Sequence, residues 1–315
     1  MKVIVLGAAG FIGSNLAIRL AMDDKNDVTL VDQSMEYFKS LQGRLSNVRY
    51  IESPMKSKED FDKLLEGQEV VYHLLSTTIP STTNVHISAE LEANVVMTSR
   101  LLDACVQNHV RQVVFMSSGG TVYGATKHTP ITETSDTNPI SSYGIQKLTI
   151  EKLLFLYNYL YNLDYRVIRL ANPYGPYQRP NGRLGAVTTF VYKALTESSI
   201  EVYGDGSVVR DFIYIDDAVE AILKIADSNT KFKLYNIGSG SGISIKELID
   251  IVADTLDRQI DVKYTSGREA DVPVNVLDMA RYYEEFGKPQ AVSLREGIRR
   301  TAAFLEKTLQ KAENR

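Results

Sequence analysis

The sequence predicts an α/β fold, in which a doubly wound parallel sheet carries a smaller mixed α/β lobe in the C-terminal part of the chain. Three observations predict it. Short apolar runs alternate with amphipathic stretches, a glycine-rich turn follows the first run, and the alternation becomes irregular after Asn172. Apolar strands that each precede a helix are typical of a parallel sheet covered on both faces, and right-handed crossovers then give a doubly wound order.

The predicted elements alternate over the first 170 residues. The strand-like runs are KVIVL, DVTLV, VRYI, EVVYHLL, QVVFMS and YRVIRL, in that order. They are short and apolar, with many β-branched and aromatic residues, as buried strands are. Helical patterns lie between them and include residues 11–22, 57–65, 89–108 and 142–161.

The two parts of the chain differ in character. Residues 1–170 hold the six runs and form the first predicted domain. Residues 171–315 begin with a stretch rich in Pro and Gly, NPYGPYQRPNGRLG, and we expect most of them to form a lobe over the carboxyl ends of the strands. Residues 211–228 are expected to pack back on the sheet.

Composition argues against several classes of partner. The 35 basic and 39 acidic residues give a net charge of −4, which provides no attraction for nucleic acid or an anionic membrane. No apolar stretch reaches the roughly 18 to 20 residues of a membrane span. The single cysteine, Cys105, excludes an internal disulfide, and we expect a cytoplasmic protein. The histidines lack metal-ligand spacing, so no metal is expected.

A G-x-x-G-x-x-G turn joins the first strand to the first helix, with glycines at Gly7, Gly10 and Gly13. Glycines there permit positive φ and let the backbone approach a diphosphate at the helix N-terminus. Asp32 closes the second strand, nineteen residues beyond Gly13. A carboxylate at that place can bond both ribose hydroxyls of NAD and would repel the 2′-phosphate of NADP. The predicted cofactor is NAD, and the first domain is then its Rossmann domain.

Tyr143 and Lys147 begin the helical stretch SSYGIQKLTIEKLLF and are four residues apart, so they lie on one face of the helix. An ammonium beside a phenol stabilises the phenolate and lowers the pKa of the tyrosine. Such a tyrosine can exchange a proton with a sugar hydroxyl while a hydride moves to or from nicotinamide. An ordinary exposed i, i+4 pair has the same spacing.

Five motifs occur in order along nearly the whole chain: the glycine turn, SSGGTVYG, YGIQK, RLANPYGP and RDFIYIDD. Together they resemble the extended short-chain dehydrogenase/reductase family, and within it the nucleotide-sugar epimerases and dehydratases of the UDP-glucose 4-epimerase type. The resemblance implies a nucleotide-diphosphate sugar as substrate. It does not specify the nucleotide or the sugar.

The resemblance implies roles for individual positions. Tyr143 would be the general acid/base, and Lys147 would hold the nicotinamide ribose and tune that tyrosine. The residues implied to bind NAD are Gly7, Gly10, Phe11, Ile12 and Gly13 at the diphosphate, Asp32 at the adenosine ribose, and Asn94 on the cofactor side. The residues implied to bind the substrate are Asn172, Tyr203, Arg210, Arg268 and Asp271.

The chain departs from the family pattern at Gly119. Four residues before Tyr123 the family carries Ser or Thr, which bonds the sugar and the catalytic tyrosine. Ser117, Ser118, Thr121 or water could replace that hydroxyl. Adjacent strand residues point to opposite faces, so Ser117 and Ser118 cannot both serve, and we favour Ser118.

The same motif bears on the reaction. Family dehydratases carry an Asp-Glu type pair directly after the missing hydroxyl, where this chain has Gly120 and Thr121, so dehydration is disfavoured. A 4-epimerase needs only a proton from O4, a hydride from C4 to NAD, rotation of the 4-keto sugar and hydride return. Small residues at 119 and 120 are expected to leave room for that rotation. The alternatives are a 4-ketoreductase and, more remotely, a non-catalytic dinucleotide sensor.

Two further expectations concern the surroundings of the site. The hydroxyl-rich stretch HLLSTTIPSTTN should line the nicotinamide and sugar pocket through Ser76, Thr77 or Thr78. In relatives the helices equivalent to 89–108 and 142–161 form a dimer interface, so we expect a homodimer. The side chains expected on their outer faces, with a core location as the alternative, are Met97, Leu101, Leu154, Tyr157 and Tyr161.

Overall fold

The fold is taken from a computed structural model, which describes residues 1–45, 47–80, 82–126, 128–180, 185–267 and 272–313. Its strands are β1 (Lys2–Leu6), β2 (Asp27–Asp32), β3 (Val48–Glu52), β4 (Val70–His73), β5 (Gln112–Ser118), β6 (Asp164–Leu170), β7 (Asn172–Tyr174), β8 (Ile200–Tyr203), β9 (Val209–Tyr214), β10 (Leu234–Ile237), β11 (Gly242–Ser244), β12 (Val262–Thr265) and β13 (Val274–Asn275).

The helices alternate with these strands. They are α1 (Phe11–Ala21), α2 (Lys58–Leu65), α3 (Ile87–Leu91), α4 (Met97–Gln107), α5 (Ser142–Tyr161), α6 (Ala186–Leu195), α7 (Ile215–Asp227), α8 (Ile245–Leu256), α9 (Ala280–Phe286) and α10 (Leu294–Glu313). A 3₁₀ segment covers Met35–Ser40, and a π-helical segment, Glu92–Val96, joins α3 to α4.

A seven-stranded parallel sheet forms the centre of the fold, in the order β10-β6-β5-β4-β1-β2-β3. The doubly wound arrangement predicted from the sequence is confirmed, and all six predicted strands are present. The seventh strand, β10, was not predicted. It comes from residue 234 onward and adds an edge beside β6.

The helices predicted within the first 170 residues are also present. Ser57 caps α2 through a capping box with Asp60, and the Ser141 hydroxyl accepts the Gly144 amide at the start of α5. The stretch predicted as one helix over 89–108 is divided by the π-helical segment. A π turn inserts one residue into the helical ladder and is frequent at functional sites. Here it contains Asn94.

Both faces of the sheet are covered. Val3 and Val5 of β1 pack into one core with Leu16 of α1, while Ile4 and Leu6 pack into a second core on the opposite face. This alternation follows from the two-residue period of a strand. Helix α7, from the predicted segment 211–228, packs against α1 in the first core.

The C-terminal lobe is built from two small sheets. Strands β11, β9 and β13 form one sheet, with β7 paired to β9, and β12 pairs with β8 in the other. The lobe reaches the carboxyl end of β5, because the Asn275 side chain of β13 donates to the Gly119 carbonyl at 3.1 Å. No helix in the described ranges is both long and apolar enough for a membrane span.

Candidate active site

The glycine turn lies at the carboxyl end of β1. Gly7 has a φ of +83°, which glycine adopts without strain. A Cβ on Gly13 would lie 2.4 Å from the Gly7 carbonyl oxygen and 2.8 Å from the Ala8 Cα, so only glycine fits at 13. Phe11 begins α1 and Ile12 follows it, so the turn leads straight into a helix N-terminus. This is the geometry that binds a diphosphate.

Asp32 lies beside that turn. Its carboxylate accepts the Ala9 amide at 3.0 Å and the Gln33 amide at 2.8 Å. Strand β2 ends at Asp32 and is paired to β1, which fixes the carboxylate next to the helix N-terminus. The close backbone approach at Gly13 and the Asp32 carboxylate beside it fit a dinucleotide.

Tyr143 and Lys147 lie on the first turns of α5, against the end of β5. The Lys147 ammonium donates to the Met116 carbonyl at 2.8 Å and lies 5.5 Å from the centre of the Tyr143 ring. It also lies 4.8 Å from the centre of the Phe115 ring, and it is only 5 % exposed. The predicted pair is therefore close together and faces a sheet edge.

The protonation of the pair differs from the sequence-based expectation. Burial raises the pKa of Tyr143 to about 12, and burial lowers the pKa of Lys147 to about 8, against the opposing effect of the Glu151 carboxylate. The expectation that Lys147 lowers the pKa of Tyr143 toward neutrality is wrong for the chain by itself, because desolvation of the phenolate dominates.

Two hydroxyls remain candidates for the missing third group. Ser117 is excluded, because its hydroxyl donates to the buried Glu151 carboxylate at 2.5 Å. Ser118, next along β5, is half-buried and projects from the opposite face. Within the described residues, the Thr121 hydroxyl is buried and has no hydrogen-bond partner, and the Thr121 carbonyl abuts Gly144, the neighbour of Tyr143. Both Ser118 and Thr121 stay predictions.

Gly119 does not leave empty space. A Cβ built there would meet Leu277 Cδ1 at 2.5 Å and the Arg169 carbonyl oxygen at 3.0 Å. The expectation that residue 119 provides room for a rotating sugar is therefore wrong, since the Leu277 side chain fills that volume. Gly120 differs, because the nearest atom to an added Cβ is the Ser118 hydroxyl at 3.9 Å.

We therefore expect Gly119→Ser to destabilise the protein rather than restore a hydroxyl to the site. The overpacked side chain should lower the free energy of unfolding by about 1–3 kcal/mol, measured by urea denaturation. The cost of Gly119→Ser should be smaller when it is measured in a Leu277→Ala background than in the parent, because the truncation makes room for the serine. A single Gly119→Ser variant as stable as the parent would contradict this packing.

Asn94 organises the loop after β4. Its amide donates to the Thr77 hydroxyl at 2.9 Å and to the Gln146 side-chain oxygen at 2.8 Å, and its oxygen accepts the Thr77 amide at 2.8 Å. The Thr78 hydroxyl is buried against Gln146 at 3.1 Å. Asn94 thus has a structural role. The Thr77 and Thr78 hydroxyls already have protein partners, and the Ser76 hydroxyl donates to the Thr78 carbonyl at 2.8 Å.

Three of the predicted substrate residues are described. Asn172 on β7 donates to the Asp211 carbonyl at 2.9 Å. Arg210 on β9 donates to the Val272 carbonyl at 2.6 Å. Tyr203 ends β8 and is 40 % exposed. Arg268 and Asp271 lie outside the described residues, so the predicted phosphate clamp stays a prediction.

Several side chains around the site were not singled out from the sequence. Glu151 accepts the Arg169 guanidinium through both carboxylate oxygens, at 3.0 and 2.6 Å, and both residues are at least 95 % buried. The Arg169 guanidinium lies 4.7 Å from the centre of the Tyr123 ring, and the Tyr123 hydroxyl donates to Asn236. The available signal was the spacing of Glu151, one helical turn after Lys147.

His73 has a structural environment. It is fully buried at the end of β4, with its Nε2 atom 2.8 Å from the Thr98 hydroxyl. Burial lowers the pKa of His73 to about 3, so the ring is neutral. Among the described residues, no three His, Cys, Asp or Glu side chains are grouped as metal ligands.

The outer face of the two long helical stretches differs from the one expected. Four of the expected side chains belong to the core: Met97, Leu101, Leu154 and Tyr157. Tyr161 is exposed. The exposed apolar side chains of α5 are instead Ile145, Phe155, Leu156, Tyr159 and Leu160. The reason is that the 3.6-residue period turns the first set toward the sheet.

The fold and the site together define a Rossmann-type dinucleotide-binding framework with a Tyr-Lys pair at the end of β5. The sequence matches the NAD-dependent epimerase/dehydratase family over residues 3–238, and the chain belongs to this family. It is therefore an NAD-dependent enzyme of the nucleotide-sugar epimerase group.

Individual relatives match this chain over nearly its whole length. The UDP-glucose 4-epimerase of Mycolicibacterium smegmatis is 34 % identical over 96 % of this chain and 98 % of its own. The UDP-glucose 4-epimerase of Thermotoga maritima, solved with UDP-glucose, is 31 % identical, with a TM-score of 0.91 over 98 % of this chain and 100 % of its own. The Thermus thermophilus UDP-glucose 4-epimerase, solved with NAD, is 28 % identical, with a TM-score of 0.86 over 97 % and 99 %.

Proposed function

We propose that the protein is an NAD-dependent 4-epimerase of UDP-linked hexoses. The observation that carries the proposal is the Tyr143–Lys147 pair against the end of β5, beside the glycine turn and Asp32. The two UDP-glucose 4-epimerases with TM-scores of 0.91 and 0.86 support the choice of reaction and nucleotide. Gly120 and Thr121 supply no carboxylate for dehydration.

In the proposed mechanism Tyr143 acts at the sugar O4. Its phenolate accepts the O4 proton and later returns it to the same oxygen. The glycine turn and Asp32 would hold NAD, which would supply the hydride chemistry at C4. Lys147 holds its ammonium 5.5 Å from the centre of the phenol ring, anchored on the Met116 carbonyl, where its charge counteracts the effect of burial on the phenolate. Ser118 or Thr121 donates to the same oxygen.

The open side of Gly120 gives the sugar space near the reacting carbon. An added Cβ there would have no protein atom closer than 3.9 Å among the described residues. Sugar rotation needs such room, since the hydride must return to the opposite face. Gly120 alone supports this part of the proposal, because Leu277 fills the space at Gly119.

The test uses the purified protein without added cofactor. Bound NAD is released and quantified, and the protein is then incubated with UDP-glucose, UDP-N-acetylglucosamine and their galacto epimers. We expect retained NAD and interconversion of at least one pair. Consumption of NADH or NADPH with a 4-keto-6-deoxy sugar, with no interconversion, would make the protein a 4-ketoreductase. Inactivity in every assay with intact NAD binding would favour a sensor.

Asp32 should set the preference for NAD over NADP. Asp32→Asn removes the charge that would face a 2′-phosphate, and we expect NADPH to bind about tenfold more tightly as a result. Fluorescence titration with NADH and NADPH measures both affinities. Asp27→Asn, at the other end of β2, is the matched control. Unchanged NADPH affinity in Asp32→Asn would place the ribose elsewhere.

We also propose a homodimer through the exposed apolar face of α5. Phe155 is 59 % and Tyr159 is 79 % exposed on the same side of the helix, and large exposed apolar patches mark interaction surfaces. Phe155→Glu with Tyr159→Glu should give a monomer by light scattering coupled to size-exclusion chromatography. A parent protein that is itself monomeric at micromolar concentration would refute the proposal.

A further inference from the structure

We propose that the buried Glu151–Arg169 pair is a positioning pair for Lys147, which fixes the helix that carries it and keeps its ammonium charged. The inference rests on the proposed function to the extent that it assigns Lys147 to the cofactor. It concerns two buried residues whose side chains contact each other, Ser117 and Tyr123.

Two polar contacts hold helix α5 on the end of β5. Helix α5 contacts the end of β5 at two successive turns, through Lys147 to the Met116 carbonyl at 2.8 Å and through Glu151 to the Ser117 hydroxyl at 2.5 Å. Arg169 of β6 holds the same carboxylate from the neighbouring strand at 2.6 Å. These contacts fix the rotation of α5, and with it the direction of Lys147.

Arg169 also contacts Tyr123 of the VYG segment. Its guanidinium lies on the Tyr123 ring at 4.7 Å, and the Tyr123 hydroxyl donates to Asn236 at 2.6 Å. Asn236 in turn donates to the Ile131 carbonyl at 2.8 Å. The pair therefore connects α5 to the VYG segment and to β10, and a shift of Arg169 would be transmitted to α5.

The charge of the Lys147 ammonium depends on its burial and on the groups around it. The titratable groups near the Lys147 ammonium are Tyr143 and Glu151 of α5 and His73 of β4, and Arg169 of β6 is paired with that glutamate. His73 and Tyr143 keep one protonation state between pH 6 and 10, because their pKa values are about 3 and about 12. Burial opposes the ammonium, and Glu151 favours it, which leaves the pKa of Lys147 at about 8. Glu151 thus maintains the charge that a ribose-binding lysine needs.

The experiment measures NADH affinity against pH from 6 to 10 by cofactor fluorescence, with protein from which the retained NAD has first been removed. NADH is used because its nicotinamide ring is uncharged and does not change the titration. In the parent, binding should weaken as the pH rises through about 8, where Lys147 loses its proton. Absence of that weakening in the parent would refute the assignment of Lys147 to the cofactor, and with it that part of the proposed function.

Two variants then test the pair by the direction in which each moves the midpoint pH of NADH binding. Glu151→Gln removes the charge that favours the ammonium, so the midpoint should move down by about one pH unit, a tenfold change. Arg169→Met leaves Glu151 without its opposing charge, so the midpoint should move up. Arg166→Met is the matched control, since Arg166 is also buried on β6 but pairs with Asp164, and its midpoint should match that of the parent.

A merely structural pair would give a different result. Both variants would then weaken binding at every pH while the midpoint stayed in place, and that result would overturn the inference. Loss of one partner of a buried ion pair is strongly destabilising. If Arg169→Met does not fold, Glu151→Gln combined with Arg169→Met replaces it, and its midpoint should lie closer to that of the parent than the midpoint of Glu151→Gln does.

Discussion

Tyr143→Phe is expected to lower kcat for sugar interconversion by about 10²–10⁴-fold, the usual contribution of a positioned acid/base group. The substitution removes only the hydroxyl, and the Lys147 anchor on Met116 is unaffected. KM for the sugar and the affinity for NADH should change little, because the phenyl ring still fills its half-buried site on α5. Steady-state kinetics and fluorescence titration measure the two quantities separately.

The control for this prediction is Tyr123→Phe. Tyr123 belongs to the conspicuous VYG motif, but its hydroxyl donates to Asn236 and its ring lies under Arg169. Its removal should affect stability more than the chemical step. If Tyr123→Phe lowered kcat as much as Tyr143→Phe did, the assignment of the acid/base to Tyr143 would be wrong.

Gly13→Ala should abolish tight NADH binding. The new Cβ would lie within 3 Å of three backbone atoms of the glycine turn, the carbonyl oxygen of Gly7 and two atoms of Ala8. Backbone atoms cannot yield as a flexible side chain can, so the turn must open and the helix N-terminus must move from the diphosphate. We expect a stability loss of about 3 kcal/mol as well, measured by urea denaturation.

Gly267 provides a matched control for the Gly13→Ala variant. An added Cβ there would be 3.7 Å from the nearest atom, which is an ordinary contact. Gly267→Ala should leave NADH affinity and stability near those of the parent. NADH affinity in Gly13→Ala equal to that in Gly267→Ala would show that the diphosphate does not lie on this turn.

Much of the sheet domain could be predicted from the sequence, because its local sequence patterns for strands and for helix starts indicate the same fold. The predicted strands of the first 170 residues are mostly apolar runs, and two of the predicted helices begin at a capping serine, Ser57 or Ser141. The pair Tyr143 and Lys147 was predicted from helical spacing, and Asp32 from its distance to the glycine turn. The structure brings these groups to one edge of the sheet.

The remaining features depend on contacts between distant segments. Strand β10 joins β6 across more than sixty residues, and no local pattern specifies that pairing. Glu151 and Arg169 are charged residues, which are usually exposed, and only the fold shows that they are buried together. The pKa of Tyr143 depends on its burial, which spacing on a helix does not give.

The contact between Gly119 and Leu277 has an evolutionary consequence. These positions are 158 residues apart in the sequence, yet a side chain added at 119 would enter the space that the Leu277 side chain fills. A hydroxyl at 119 and a large side chain at 277 exclude each other, so neither position can change freely without the other. Descendants of this chain should acquire a side chain at 119 only after 277 has become smaller, and the two sites should vary as a correlated pair.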